Sequence, residues 1–173
     1  MMITKPQTTE YGEHFSTYVR LVPEGDIREM LTAQLQATTD LFANLSDEQG
    51  NFRYAEGKWT VKEVLGHIAD TERVMAYRLL TVARGDKTPL PGFDENVFVE
   101  GANFAAMPMS ELIEDYQAVR RATLTLLRGL TDEALLRMGI SNQLTISARA
   151  LVHIIVGHEL HHLNVLKEKY GIQ

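Results

Sequence analysis

Leu151-Val-His153-Ile-Ile-Val-Gly157-His158-Glu159-Leu-His161-His162-Leu-Asn-Val165-Leu166 decides how this chain is read. It holds four of the six histidines. His158 and His162 stand at i and i+4, a spacing that on a helix puts both side chains on one face, one turn apart. Leu151, Ile154, Ile155, Val165 and Leu166 fall on or beside that face. The pair therefore sits in an apolar stripe, where an unsatisfied imidazole is costly. A divalent transition metal would satisfy both rings, given at least one further ligand.

Three more helices precede this one. Pro23-Glu-Gly-Asp26 announces the first, with Asp26-x-x-Glu29 as a capping box and Ile27, Leu31, Leu35, Thr38 and Phe42 repeating to about Asn44. Ser46 to Trp59 reads as a loop. Thr60-x-x-Glu63 is a second capping box; Val61, Val64, Leu65, Ile68, Met75, Leu79 and Val82 carry a helix to about Arg84, with Gly85 as its C′ residue. Gly85 to Pro108 is a long connection, too apolar for a solvated linker, and is expected to pack on the helices as a pocket wall. The third helix starts at Ser110 and runs through Leu112, Tyr116, Val119, Thr123, Leu126 and Leu130. A short helical turn follows from Thr131 to about Arg137, then a loop from Gly139 to Leu144. The last helix begins near Thr145 to Ser147 and ends before Gly171. Residues 1–22 read as an arm packed on one helical domain spanning 1–173, and no strand is expected. Four long amphipathic helices and one long crossover between the second and third make an all-α four-helix bundle.

Composition narrows the function. With 45% hydrophobic and 23% charged residues the chain reads as globular, and its 173 residues suffice for a substantial core. There is no Cys, so disulfides, thiolate ligands and a Cys nucleophile are excluded, which fits a reducing cytoplasm. The first residues carry no apolar signal region, and no apolar run is long enough to span a bilayer. A net charge of −6 argues against nucleic acid. The basic pairs Arg120-Arg121 and Lys167/Lys169 read as solvated helix faces.

His158-Glu-x-x-His162 matches the pattern of zinc proteases, but those place a further ligand downstream. Only eleven residues follow His162, and none is His. The third ligand must come from upstream, and His67 is the one inward histidine on another long helix. Glu63 and Asp70 flank it at i−4 and i+3, within reach as hydrogen-bonding partners. Either is equally readable as an ordinary surface acid.

Lys58-Trp59-Thr-Val-Lys-Glu-Val-Leu-Gly66-His67-Ile-Ala-Asp70-Thr-Glu72, Gly85-Asp-x-x-Pro-Leu-Pro-Gly-Phe-Asp94 and His158-Glu-x-x-His162 together resemble the DinB-like four-helix metalloproteins from about Glu24 to Tyr170. The resemblance implies an up-up-down-down bundle, often a homodimer. It makes His67, His158 and His162 the three ligands of one divalent ion, zinc or nickel. It also implies transfer of a low-molecular-weight thiol to a small-molecule electrophile; other members are assigned metal-dependent hydrolysis. The bacillithiol-transferase branch tends to carry a second His just before the first ligand, where this chain has Gly66.

Three neutral imidazoles leave an ion its full charge and an open position, the pattern of a catalytic site. A thiolate or a water could use that position, and a non-catalytic, metal-stabilised stress or binding protein is the third reading. Glu159, about 100° around the helix from His158, is a candidate general base or merely polar. His161 reads as a rim residue and His153 as structural, while Trp59 and Tyr77 are expected to pack. His14, in the arm, carries no assigned role.

Overall fold

A computed structural model describes residues 3–172; Met1, Met2 and Gln173 lie outside it. The helices are α1 (Ser16–Leu21), α2 (Ile27–Ala43), α3 (Asp47–Asn51), α4 (Val61–Ala83), α5 (Glu95–Gly101), α6 (Met109–Arg128), α7 (Asp132–Leu136) and α8 (Ala148–Val165), the last running on into a π turn, Leu166–Tyr170. The four long ones, α2, α4, α6 and α8, form a four-helix bundle. No helix among the described residues is long and apolar enough to cross a membrane.

Local sequence sets the helix ends. Thr60 Oγ1 accepts from the Glu63 amide at 3.2 Å while the Thr60 amide donates to Glu63 Oε2 at 2.6 Å, closing the expected box at the start of α4. At α2 the Asp26 carboxylate alone caps, accepting from the Arg28 and Glu29 amides. Gly85 takes the left-handed conformation (φ 84°), and the Asp86 amide donates to Thr81 O at 3.2 Å, which ends α4.

Paired residues give the helix directions. Arg28 reaches Leu127 O and Thr39 meets Gln117, so α2 and α6 are antiparallel. Gln34 donates to Val156 O and Thr38 to Glu159, so α2 and α8 are parallel. His67 near the start of α4 meets His162 near the end of α8, an antiparallel pair. The order is therefore up-down-down-up, not the up-up-down-down order that the resemblance implies. The physical reason is the crossover: residues 84–108 carry the chain back along the bundle, so α4 and α6 run parallel.

The core falls into two apolar clusters. One gathers Leu31, Leu79, Leu127, Leu151 and Ile154; the other gathers Phe42, Leu65, Leu112, Tyr116 and Leu166. Between them, at middle height on all four long helices, lies a polar layer. Arg120 Nε donates to Glu72 at 2.9 and 3.1 Å, and its Nη2 reaches both Glu72 and Glu159. Tyr116 Oη donates to Glu159 Oε1 at 2.9 Å, and Thr38 Oγ1 donates to the same oxygen at 2.5 Å. Arg120 Nη1 donates to Leu31 O at 3.2 Å. Arg120 is 0% exposed, so it is not the solvated residue its sequence neighbour Arg121 is. Burial alone would lower its pKa; Glu72 and Glu159 outweigh that and raise it.

Two further departures from expectation are small. Met138–Ser141 (β1) and Leu144–Ser147 (β2) form an antiparallel hairpin where a loop was expected, turning at Asn142 and Gln143 with φ 49° and 64°. Positive φ at both turn residues suits the two-residue hairpin. Leu90 of the crossover adds to its edge, with the Leu90 amide donating to Ile140 O at 2.9 Å. The arm, for its part, holds α1, which lies against α8. Gly157 permits that approach, because a Cβ there would stand 2.0 Å from Tyr18 O. Gly157→Ala is expected to destabilise the protein by at least about 1–3 kcal/mol, since the obstacle is backbone and cannot rotate away. An unfolding midpoint equal to wild type in urea would show that α1 is not seated this closely.

Candidate metal centre

α4 delivers His67 near its start and α8 delivers His158 and His162 near its end, because the two helices pack antiparallel. Their Nε2 atoms form a near-equilateral triangle: 3.0 Å for His67–His158, 3.1 Å for His67–His162 and 3.1 Å for His158–His162. Zinc–imidazole bonds of about 2.0–2.1 Å, at tetrahedral to octahedral angles, place ligand nitrogens about 2.8–3.4 Å apart. One ion therefore fits all three. Among the described residues the cluster holds three histidines and no carboxylate.

The rings are tuned for that task. Burial, followed by the neighbouring charge of His161, pushes the pKa of His67 down to about 4. Burial, followed by His67 and His161, pushes His162 down to about 3. His158 lies well below the ordinary value, through burial first and then His162, His67 and His161. The three rings stay neutral near pH 7 and present lone pairs to one point, which a cation relieves.

Supporting contacts differ from those expected. Thr71 Oγ1 lies 3.5 Å from His67 Nδ1, one turn along α4. It is placed to hold the ring's outer nitrogen. Glu63 is occupied in the helix cap, and Asp70 pairs with Arg73 at 3.1 Å, so neither turns to His67. Glu159 is not brought to the triangle. Its carboxylate belongs to the polar layer, held by Arg120, Tyr116 and Thr38, which leaves no free base. His153 is buried, with Nδ1 2.9 Å from Arg149 O.

A cavity of about 480 Å³ opens over the triangle, a size suited to a small ligand. Trp59 forms part of its wall, ring to ring 4.6 Å from His67. Tyr18 stands 5.3 Å from His158 and 5.4 Å from His161, which is half-buried at the rim. His14 also lines the cavity, as do Arg78, Phe93 and Asn142. Tyr77, expected to pack, is 60% exposed on the outer face of α4. Gly66 lies under the Phe104 ring, where a Cβ would come within 2.5 Å. A histidine at 66 would have to displace that ring, which accounts for its absence here.

Arg78 was legible and passed over: it stands eleven residues after His67, within about 20° on the same helix face. Tyr18, Phe93 and Asn142 reach the cavity from the arm, the crossover and the hairpin, where no periodicity marks an inward side chain.

The fold and site thus define a four-helix-bundle protein with a three-histidine cluster that could hold a metal ion. A model of the DinB superfamily matches residues 30–166, and the chain belongs to that superfamily. It is 28% identical to a "Putative metal-dependent hydrolase" of Bacillus pumilus, over 83% of this chain and 89% of that one. A similarly named protein of Oceanobacillus iheyensis is 29% identical over 82% and 84% of the two chains. Among solved structures, YfiT from Bacillus subtilis is described as a probable metal-dependent hydrolase with an unusual four-helix bundle topology. It superposes with a TM-score of 0.70 at 22% identity, covering 98% of this chain and 95% of its own. A mycothiol-dependent maleylpyruvate isomerase superposes at 0.66 and 13% identity, covering 86% of this chain and 62% of its own. These two likenesses are likenesses of fold.

Proposed function

We propose that this protein is a metal-dependent enzyme in which His67, His158 and His162 hold one divalent ion, zinc or nickel, and that it joins a low-molecular-weight thiol to an electrophilic small molecule. The observation that carries this is the triangle of neutral imidazoles open to a cavity, with no carboxylate joining the three rings among the described residues and no Cys anywhere in the chain. When bound, such an ion favours thiolate over thiol, or hydroxide over water, near neutral pH. The chain's own residues do the rest. Burial keeps the three rings uncharged. Thr71 steadies His67. Trp59, Tyr18 and Phe93 supply an apolar and aromatic wall that excludes water from the reacting atoms. Glu159, locked in the core by Arg120, Tyr116 and Thr38, is not free to act as a base. Hydrolysis is the second reading, favoured by the names of the two relatives above.

Chelator-treated protein is expected to show no turnover of 1-chloro-2,4-dinitrobenzene, and zinc or nickel to restore it only when glutathione, bacillithiol or mycothiol is added. Restored cleavage of a nitrophenyl ester without any thiol would favour the hydrolase. Failure of both, with metal bound, would leave a binding protein. Unstructured peptides are expected to remain uncut throughout.

A further inference from the structure

Arg78 is 4% exposed, and among the described residues no carboxylate lies within ion-pair distance of it. A buried charge in that position is costly unless something pairs with it. What holds it is thin. Nη2 donates to Pro91 O at 2.8 Å, Nη1 to Met75 Sδ at 3.6 Å, and the guanidinium carbon stands 5.6 Å from the Phe93 ring centroid. Those bonds engage two of five N–H groups. Contrast Arg120, more deeply buried, which meets two carboxylates.

The guanidinium also lines the cavity that contains the three histidines. Arg78 follows His67 on α4 by about 16 Å of helix, on nearly the same face. Helical side chains lean toward the N-terminus, and the contact with Met75, one turn back, shows that this one does. The side chain therefore extends along the helix toward the triangle, with a gap on the order of 10 Å, and it also borders a second hollow beside Pro91 and Phe93. Other charge in the cavity is sparse. Glu95, exposed at the start of α5, lines it but makes no ion pair with Arg78, and Asn142 is neutral. Burial also holds the Arg78 pKa below the ordinary arginine value.

We infer that Arg78 is the anion-recognition end of this cavity, and that the molecule bound between it and the three histidines carries a carboxylate on the order of 10 Å from the atom it presents to them. The inference rests on the reading of the cavity as the substrate site of a metal-dependent enzyme. A planar fork with free N–H groups takes a carboxylate bidentately, and desolvation strengthens the pair.

Trp59 is the chain's single Trp and forms the cavity wall, so its fluorescence reports occupancy. Zinc-loaded wild type, Arg78→Gln and Arg78→Lys are titrated with 6-mercaptohexanoate, 6-mercaptohexanol, hexanoate and hexanol. In wild type each acid is expected to bind at least about tenfold tighter than its alcohol. Arg78→Gln is expected to bring acid and alcohol to within about twofold, and Arg78→Lys to keep part of the preference. Equal affinity of acid and alcohol in wild type, no binding by either acid, or a preference undiminished in Arg78→Gln would overturn the inference. Hexanoate binding as tightly as 6-mercaptohexanoate, with the acid preference intact, would instead count against the thiol reading and leave Arg78's role standing.

Discussion

Ala at His67, at His158 or at His162 is expected to abolish stoichiometric metal binding. Apparent energies of about 10–16 kcal/mol for a zinc held by four ligands correspond to ~2.5–4 kcal/mol per ligand. One lost imidazole should therefore weaken affinity by about two to three orders of magnitude. Among the described residues no carboxylate joins the Nε2 triangle to compensate. His161→Ala is the control: its ring sits at the rim against Tyr18 and should leave metal content unchanged. Metal content measured by mass spectrometry after gel filtration decides. A His67→Ala protein that keeps its metal while His161→Ala loses it would disprove the ligand set.

The second large effect lies in the core. Arg120→Met is expected to destabilise the fold by about 3–5 kcal/mol, because it strands Glu72 and Glu159 without their cation. The urea midpoint should fall with little change in the slope of the transition. Replacing all three, Arg120→Met with Glu72→Met and Glu159→Leu, is expected to recover most of the loss, since well-packed apolar groups can replace a buried ionic cluster without penalty. A loss under about 1 kcal/mol in the single variant would mean that water reaches the layer and shares its charges.

What the sequence disclosed follows from where its signals are local. The four long helices carry apolar stripes and caps, and Thr60 with Glu63 behaves as its motif predicts. The i, i+4 pair on α8 and the solitary inward His67 announced the triangle because helical spacing alone fixes which side chains share a face. Long-range matters were hidden. Arg120 reads as surface until Glu72 and Glu159, on two other helices, are brought to it. Glu159 looks available beside His158 until Thr38 and Tyr116 are seen to hold it. The hairpin turns on Asn142-Gln143, which lacks the glycine that usually marks such a turn. Helix direction was missed because capping and periodicity say nothing about which way a neighbour runs.

The return of the chain along residues 84–108 separates two kinds of inheritance in this molecule. The three clustered histidines ride on helices that the core cannot do without. Much of the opposite wall, Phe93 and Asn142 among it, rides on the crossover and the hairpin. Changes there can accumulate without disturbing the triangle, as distant sites contribute independently. A lineage could thus exchange one substrate for another by rewriting a connection, while the chemistry stays fixed in the helices beneath it.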